Sequence, residues 1–228
     1  EFNRPFKKSG VWDGRGNIIS KNKLSGKHVG AYVSFDTNDN GLVEVKVSSS
    51  FISHEQAWIN LYRELPKSKN FHEILAEGRK SWNNELSKIK VKAENTDYGL
   101  SNKIKFYSCF YRTILFPRQF HEYNINGEQI HYSPYNGEIL EGPLYTDNGF
   151  WDTFRAVFPF YTILYPEKLG EIMQGIMVNP YKESGWLPEW SSPGHRDCMI
   201  GSNSASIIAE AYIKGIKNFD IETAYEGI

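Results

Sequence analysis

The spacing of apolar residues separates an amino-terminal region with a period of two from a longer region with a helical period. In residues 29–35 and 43–47, valine and other apolar residues alternate with other residue types, which predicts two strands. The intervening residues 37–41 have the composition of a turn, so the two strands are predicted to form a hairpin. Because a two-stranded ribbon is not stable alone, residues 1–53 are predicted to belong to a larger β domain.

A helical period begins after Ser53. The segment SHEQ, residues 53–56, has a helix-capping pattern, and Pro66 ends the apolar period that follows it. A second amphipathic helix is predicted over residues 71–89, with apolar side chains on one side and charges on the other. Residues 54–100 are therefore predicted to be a helical linker between two domains, and surface helices of one domain fit the pattern nearly as well.

Residues 101–228 contain further helical patterns joined by long loops. Apolar residues cover most of the circumference of a helix predicted over residues 102–116, which indicates an inner helix packed on nearly every side. Residues 119–146 are too long and polar for an ordinary connection, so they are predicted to be functional or to carry small strands. Later helices are predicted over residues 151–166, 166–178 and 202–216. This succession predicts an α-helical toroid whose loops build a pocket at one end.

The composition excludes several classes of protein. The 228 residues include 26 Lys and Arg against 27 Asp and Glu, with no long basic run, so nucleic-acid binding is not indicated. No apolar run approaches the roughly 18 residues that a membrane span needs, and any export signal is expected outside this chain. The two cysteines, Cys109 and Cys198, exclude a disulfide-dense scaffold and a four-cysteine zinc site, while one disulfide and two buried thiols both remain open.

The candidate chemistry is concentrated around the segment NGFWDTFR, residues 148–155. This segment starts a helical pattern that Asp147 or Asn148 is predicted to cap. Asp152 and Arg155 stand three residues apart, on one face of the first helical turn. A helix start of this composition is also typical of a purely structural cap and staple.

Two later segments, GWLPEW and HRDCMIG, repeat the mixture of aromatic and charged residues in loops rich in Gly and Pro. Flat rings can cover the apolar face of a pyranose, while carboxylates and guanidinium groups bind its hydroxyls, so the pattern predicts a sugar site. A surface ion pair of Arg196 with Asp197 is the alternative for that pair, and Glu122, Glu141 and Asp147 are predicted to be solvated. The candidate substrate-binding residues are Trp151, Asp152, Arg155, Trp186, Glu189, Trp190 and Asp197.

Five groups of residues, in order along nearly the whole chain, resemble the glycoside hydrolase family 92 α-mannosidases. One motif alone, such as WDTFR, would be weak support, but all five stand at compatible spacing, which makes the resemblance specific. They are FIS at 51–53 with EQA at 55–57, FY at 106–107 with YRT at 111–113, WDTFRA at 151–156, GWLPEW at 185–190, and MIG at 199–201 with AEAY at 209–212.

The resemblance implies an α+β protein whose β and α regions are segregated along the chain. Residues 1–53 would be the C-terminal part of a β-sandwich domain, residues 54–100 the helical linker, and residues 101–228 the N-terminal part of an (α/α)6 barrel. It also implies exo-acting removal of mannose from α-linked mannosides, with α-1,2 as the expected linkage, with inversion and with a bound calcium whose ligands are unknown. The expected setting is an exported bacterial enzyme acting on mannose-containing glycans.

The resemblance assigns no catalytic residue to this chain. The family's acid and base segments are expected beyond Ile228, so the chain is expected to be catalytically incomplete. Two other classes of function stay open from the residues themselves. One is a carbohydrate-binding protein without catalysis, and the other is an (α/α)6 enzyme of different chemistry, such as a polysaccharide lyase.

Overall fold

The computed structural model describes residues 1–36 and 41–228. Its amino-terminal region contains a three-stranded antiparallel sheet with β1 in the middle, flanked by β2 and β3. Two glycines of this sheet leave room for aromatic rings. The Trp12 ring packs against Gly30, and the Tyr32 ring packs against Gly10. The strands are β1 (Lys8–Trp12), β2 (Ile18–Ile19) and β3 (Gly30–Ser34).

The hairpin predicted in this region is wrong in its pairing. β3 is hydrogen-bonded to β1, and Val45 instead forms an isolated bridge with Phe2. Residues 37–40 of the predicted turn lie outside the described part of the chain. The alternation of side chains indicates which face of a strand is apolar, but it does not determine which neighbour the backbone bonds to. That this sheet is the end of a β-sandwich stays a prediction.

Two capped helices follow the sheet. α1 (His54–Glu64) begins where Ser53 Oγ accepts a hydrogen bond from Gln56 N at 3.0 Å, as predicted. α2 (Phe71–Leu86) begins with a capping box in which Asn70 and Glu73 each bind the other's backbone N–H. The second helix ends three residues before its predicted end, and its start is at the predicted residue.

α3 (Asp97–Thr113) starts five residues earlier than predicted because Thr96 Oγ1 accepts a hydrogen bond from Gly99 N and caps the helix there. The prediction of a helix packed on nearly every side is wrong for the described residues. Only Gly99 and Phe110 are buried, while Ile104 is 58% exposed. The reason is that few elements contact this helix, chiefly α2 and the Phe160 ring, which meets Phe110 edge-on at 5.8 Å.

The long loop carries small strands, as predicted. They form a three-stranded sheet of order β5-β6-β7 and two pairs, β4 with β8 and β9 with β10. The last pair joins the end of the loop to a strand at residues 190–191, and it is central to the site described below. The strands are β4 (Arg118–Gln119), β5 (Glu122–Tyr123), β6 (Gln129–Tyr132), β7 (Ile139–Glu141), β8 (Tyr145–Thr146), β9 (Asn148–Gly149) and β10 (Trp190–Ser191).

The buried core lies among the helices of residues 150–228. Phe150, Phe158, Met173 and Met177 are at most 1% exposed, and they pack in one apolar cluster. The helix predicted over residues 166–178 continues through a π-helical turn (Gln174–Val178) into α7, and α9 was not predicted. No helix in the described part of the chain is long and apolar enough to cross a membrane. The helices are α4 (Phe150–Thr153), α5 (Val157–Leu164), α6 (Pro166–Met173), α7 (Asn179–Ser184), α8 (Asn203–Ile213) and α9 (Ile221–Glu226).

Asp220 joins α9 to α7. Its Oδ1 accepts a hydrogen bond from Thr223 N at 3.1 Å and caps α9, while its Oδ2 accepts one from Lys182 Nζ at 2.8 Å. The hydrogen bond from Lys182, together with those from Thr223, lowers the pKa of Asp220 to about 2 from the ordinary 3.8. Because the pKa is lower in the folded state, the stabilisation is present above about pH 4 and is lost as the pH falls toward 2.

We expect Asp220→Ala to lower the free energy of unfolding by about 1–2 kcal/mol at pH 7, the usual effect of removing a helix cap. Asp220→Asn keeps a capping oxygen but loses the charge that faces Lys182, so about half of that loss is expected. Urea unfolding at pH 7, 4 and 3 measures both effects. A difference between Asp220→Ala and the unaltered chain that grows below pH 4 would contradict the assignment.

Candidate functional site

The pairing of β9 with β10 brings together two segments that are far apart in the sequence, NGFWDTFR and GWLPEW. Trp190 lies opposite Gly149, and Ser191 lies opposite Asn148. A further backbone hydrogen bond, from Phe150 N to Glu189 O at 3.0 Å, continues this pairing into the first residue of α4. The two candidate segments therefore form one local structure.

Gly149 is the point at which an aromatic ring and a carboxylate meet. A Cβ atom at this position would lie 2.2 Å from Cε3 of Trp190 and 3.1 Å from Oδ2 of Asp152. The Trp190 ring therefore lies directly against the Gly149 backbone, and the Asp152 carboxylate stands beside it. We call these three residues the Gly149 site. Asp152 is exposed and has no ion-pair or hydrogen-bond partner in the described part of the chain, so its oxygens are available to a ligand.

The start of α4 differs from the predicted cap. Its N-cap residue is Gly149, and no side chain caps it. Asn148 Oδ1 instead accepts a hydrogen bond from Thr153 Oγ1 at 2.9 Å. Asp147 has a φ of 62° and faces the other way, where its Oδ2 lies 2.6 Å from Arg118 Nη2. Asp147 therefore holds the loop through Arg118 rather than capping the helix.

Arg155 does not pair with Asp152. Its guanidinium lies 4.2 Å from the centre of the Trp151 ring and 4.4 Å from that of Phe154, and it donates a hydrogen bond to Trp151 O. The contact is a cation–π interaction, which holds the Trp151 ring against the Arg155 side chain. Trp151 is 45% exposed, so part of its surface remains open to solvent.

Glu189 was predicted to line the pocket, but its carboxylate is bound to the start of α8. Oε2 accepts hydrogen bonds from Asn203 N at 3.0 Å and Asn203 Nδ2 at 3.2 Å, and Oε1 accepts them from Ser204 N at 3.1 Å and Ser204 Oγ at 2.5 Å. An anion at a helix N-terminus is favoured by the free N–H groups there. Glu189 therefore caps α8 from a distance and anchors the strand that carries Trp190.

Trp186 and Asp197 are not brought to the Gly149 site by any contact in the described residues. Trp186 is 74% exposed, and its backbone N–H donates a hydrogen bond to Ser184 Oγ at 3.1 Å. Asp197 is exposed and forms no ion pair with Arg196 in the described part of the chain. Burial lowers the pKa of His195, and the charge of Asp197 partly opposes this effect. Trp186 precedes Trp190 in the sequence, and Asp197 follows it.

The sequence did not indicate that Asp147 and Glu122 hold loops in place. Asp147, predicted to be solvated, binds Arg118 and also accepts a hydrogen bond from Ser192 Oγ at 2.8 Å. Glu122, also predicted to be solvated, accepts hydrogen bonds from Phe51 N at 2.8 Å and Asn60 Nδ2 at 2.6 Å. Their partners are distant in the sequence, so no local pattern could have indicated these contacts. The Asp-Asn-Gly composition around Asp147 was the only local signal of a turn there, because such residues tolerate a left-handed backbone.

The described residues contain no cluster of three or more His, Cys, Asp or Glu side chains that could hold a metal ion. The expected calcium therefore has no ligand set that we can assign within this part of the chain. Cys109 and Cys198 are both free and exposed, so neither the disulfide nor the buried thiols that were left open is formed.

Comparison with known proteins agrees with the architecture and with the resemblance. Residues 56–228, most of the chain, match the profile of the glycosyl hydrolase family 92 catalytic domain. The chain belongs to glycosyl hydrolase family 92. A curated relative, an uncharacterized secreted glycosidase from Arthroderma benhamiae, is 28% identical over 207 residues, which are 87% of this chain and 21% of the relative.

Two solved structures of family 92 proteins from Bacteroides thetaiotaomicron are similar. An inverting mannosidase is 41% identical with a TM-score of 0.89, and the match covers 100% of this chain and 30% of that one. An α-mannosidase in complex with mannoimidazole is 24% identical with a TM-score of 0.77, which shows a shared fold, and the match covers 99% of this chain and 30% of that one. The chain therefore spans less than a third of the length of these relatives.

Proposed function

We propose that this family 92 chain is part of an exo-acting glycosidase that removes terminal mannose from α-linked mannosides with inversion. The relative that is 41% identical is an inverting mannosidase, which supports the reaction class. The observation that carries the proposal is the Gly149 site, where the Trp190 ring and the Asp152 carboxylate meet on one glycine. These are the two kinds of group that a sugar site requires.

The chemistry of the Gly149 site fits a pyranose. The face of the Trp190 ring can cover the apolar C–H face of the sugar, and the two Asp152 oxygens can accept hydrogen bonds from neighbouring hydroxyls. Arg155 holds the ring of Trp151, the residue before Asp152, by a cation–π contact. Because Gly149 has no side chain, ring and carboxylate approach the same backbone closely.

We assign neither the catalytic acid nor the base to residues of this chain. An inverting glycosidase uses two carboxyl groups about 6.5–9.5 Å apart, one to protonate the leaving oxygen and one to activate water. Asp152 is proposed to bind sugar hydroxyls, and three other carboxylates have partners within the chain: Glu189 binds the start of α8, Asp147 binds Arg118, and Glu183 binds His131. We propose that the acid and base come from segments matching the remaining length of the relatives.

Three finer features belong to the same proposal. α-1,2-linked mannose is the proposed substrate class, calcium is a proposed requirement whose ligands are unassigned, and the protein is proposed to be exported. Support for export comes from the secreted glycosidase that is 28% identical. Catalysis-free carbohydrate binding is the function expected of the 228 residues by themselves.

The proposal is tested by measuring mannose release from α-1,2-mannobiose, with and without a calcium chelator. The 228-residue chain is compared with a version extended to the length of its relatives. Release by the extended version alone, stopped by chelation, is the expected result. Turnover by the 228-residue chain would show that an acid and base pair lies within it, and no release by the extended version would overturn the proposal.

Asp152→Asn in the extended version is expected to lower kcat/KM by about 100-fold, because charge-assisted hydrogen bonds contribute roughly 1.5–3 kcal/mol each. Asp197→Asn is the matched control, since Asp197 is an exposed carboxylate without a contact to the Gly149 site; less than a threefold change is expected. Equal losses of kcat/KM in both variants would show that the substrate contacts extend beyond the Gly149 site to Asp197. An unchanged Asp152→Asn would remove Asp152 from substrate binding.

A further inference from the structure

Asp147 stands alone between two strands that pair with different partners. β8, which ends before it, is hydrogen-bonded to β4, and β9, which begins after it, is hydrogen-bonded to β10. A φ of 62° places the Asp147 backbone in the left-handed region at the point where the chain changes partners. Glycine adopts this region freely, whereas a residue with a Cβ atom is destabilised in it. The Asp147 side chain therefore has to compensate for an unfavourable backbone.

The Asp147 carboxylate makes one contact on each side of this point. Its Oδ2 lies 2.6 Å from Nη2 of Arg118, the first residue of β4. Its Oδ1 accepts a hydrogen bond at 2.8 Å from Oγ of Ser192, the residue that directly follows β10. Only 16% of the Asp147 side chain is exposed, so water competes less for these contacts than for a surface ion pair. We call Arg118, Asp147 and Ser192 the Asp147 clamp.

The clamp lies at the end of the β9–β10 pair where the backbone pairing stops. Each strand has only two residues, and a long stretch of chain separates them in the sequence. The backbone N–H of Ser192 donates to Gly194 O at 2.9 Å within its own turn, so the ladder does not continue past Ser191. Side chains hold this end instead, through the clamp and through a hydrogen bond from Thr146 Oγ1 to Pro193 O at 2.9 Å.

The opposite end of the same pair is held by the backbone. Phe150 N donates to Glu189 O there, and the Glu189 carboxylate is bound to the start of α8. Trp190 and Gly149 lie opposite each other between the two ends. The contact of the Trp190 ring with Gly149 depends on the register of two very short strands, so release of the clamped end would let the ring move away from the glycine.

We propose that Asp147 is a positioning residue of the Gly149 site. By joining Arg118 to Ser192 it holds β10 against β9, and it thereby keeps the Trp190 ring on Gly149. Asp147 itself does not touch the sugar. The consequence for sugar binding rests on the proposed function, whereas the placement of the ring can be tested without any sugar.

The direct test is NMR spectroscopy of the 228-residue chain labelled at glycine and tryptophan. Trp190 Cε3 lies 2.2 Å from the position of a Cβ atom on Gly149, so a Gly149 α-hydrogen lies close to the hydrogen on Cε3. A strong nuclear Overhauser effect (NOE) between these two hydrogens is expected in the unaltered chain. Asp147→Ala is expected to lose most of it, and an undiminished NOE in this variant would overturn the proposal.

Two further variants serve as controls for the NOE. Asp147→Asn keeps an acceptor oxygen for Ser192 Oγ and tolerates the left-handed backbone, so it is expected to retain most of the NOE. Asp13→Ala is the matched control, because Asp13 also holds a turn, accepting hydrogen bonds from Arg15 N at 2.9 Å and Asn17 N at 3.0 Å. An unchanged NOE is expected there, and equal losses in Asp13→Ala and Asp147→Ala would contradict a specific role of Asp147.

Asp147→Gly separates positioning from stability. It removes the clamp as Asp147→Ala does, but glycine adopts the left-handed backbone without a Cβ atom. The folding equilibrium constant of Asp147→Gly, measured by urea unfolding, is expected to exceed that of Asp147→Ala by about fivefold. The NOE is expected to be equally weak in both. An NOE that recovers in Asp147→Gly would overturn the proposal, because the aspartate would then act only through the stability of the turn.

The consequence for the sugar is measured in the version extended to the length of the relatives. Asp147→Ala is expected to raise KM for α-1,2-mannobiose by about fivefold and to change kcat by less than about threefold, because a displaced ring weakens the binding of substrate and transition state alike. A fall in kcat with an unchanged KM would contradict this role. No mannose release by the unaltered extended version would overturn the proposed function alone, and the NOE would still decide whether Asp147 positions Trp190.

Discussion

Glu189→Ala is expected to lower the free energy of unfolding by about 3 kcal/mol, the larger of the effects predicted for this chain. The carboxylate accepts four hydrogen bonds from Asn203 and Ser204, at distances of 2.5–3.2 Å. Its removal leaves the first N–H groups of α8 without their anion. It also releases the strand that carries Trp190 from the core helix to which Glu189 ties it.

Urea unfolding of the chain measures the effect, and Glu189→Gln is the matched variant. Glutamine keeps the size of the side chain and one acceptor oxygen but loses the charge that the helix N-terminus favours, so about half of the loss is expected. Equal stability of Glu189→Ala and the unaltered chain would show that water replaces the carboxylate at the start of α8. In that case Glu189 would be available to line the pocket, as the sequence predicted.

Gly149→Ala is expected to cost about 2–3 kcal/mol of stability and to abolish sugar binding at the Gly149 site. The φ and ψ of Gly149 are −107° and 116°, which any residue can adopt, so backbone strain contributes nothing. The whole effect is steric, because the new methyl group would lie 2.2 Å from the Trp190 ring. Either the ring leaves its position or β9 and β10 separate.

Two comparisons isolate the steric cause. Gly78→Ala, within α2, places a methyl group where nothing lies within 4 Å, so it is expected to stabilise the helix by about 0.5–1 kcal/mol. Adding Trp190→Ala to Gly149→Ala removes the clashing ring, so the double variant is expected to lose less stability than the sum of the two single variants. Additive losses, measured by urea unfolding, would show that the ring does not press on Gly149.

The starts of α1 and α2 were predictable because each is encoded within a few residues. Ser53 caps α1, and α2 begins at its predicted residue behind the Asn70–Glu73 capping box. The start of α3 was misplaced because the cap, Thr96, stands before the apolar period on which the prediction rested. The hairpin prediction was wrong for a different reason, since β3 pairs with β1, which precedes it by many residues.

The sequence by itself determined the family, most of the helices, the presence of small strands in the long loop, and the residue types suited to a sugar. All of these depend on local spacing or on motifs that can be read along the chain. Only the tertiary structure decided that Glu189 caps α8, that Arg155 covers Trp151 rather than pairing with Asp152, and that Trp190 lies on Gly149. These assignments depend on contacts between segments brought together by the shared core, and a periodic pattern contains no information about which distant segment will be the neighbour.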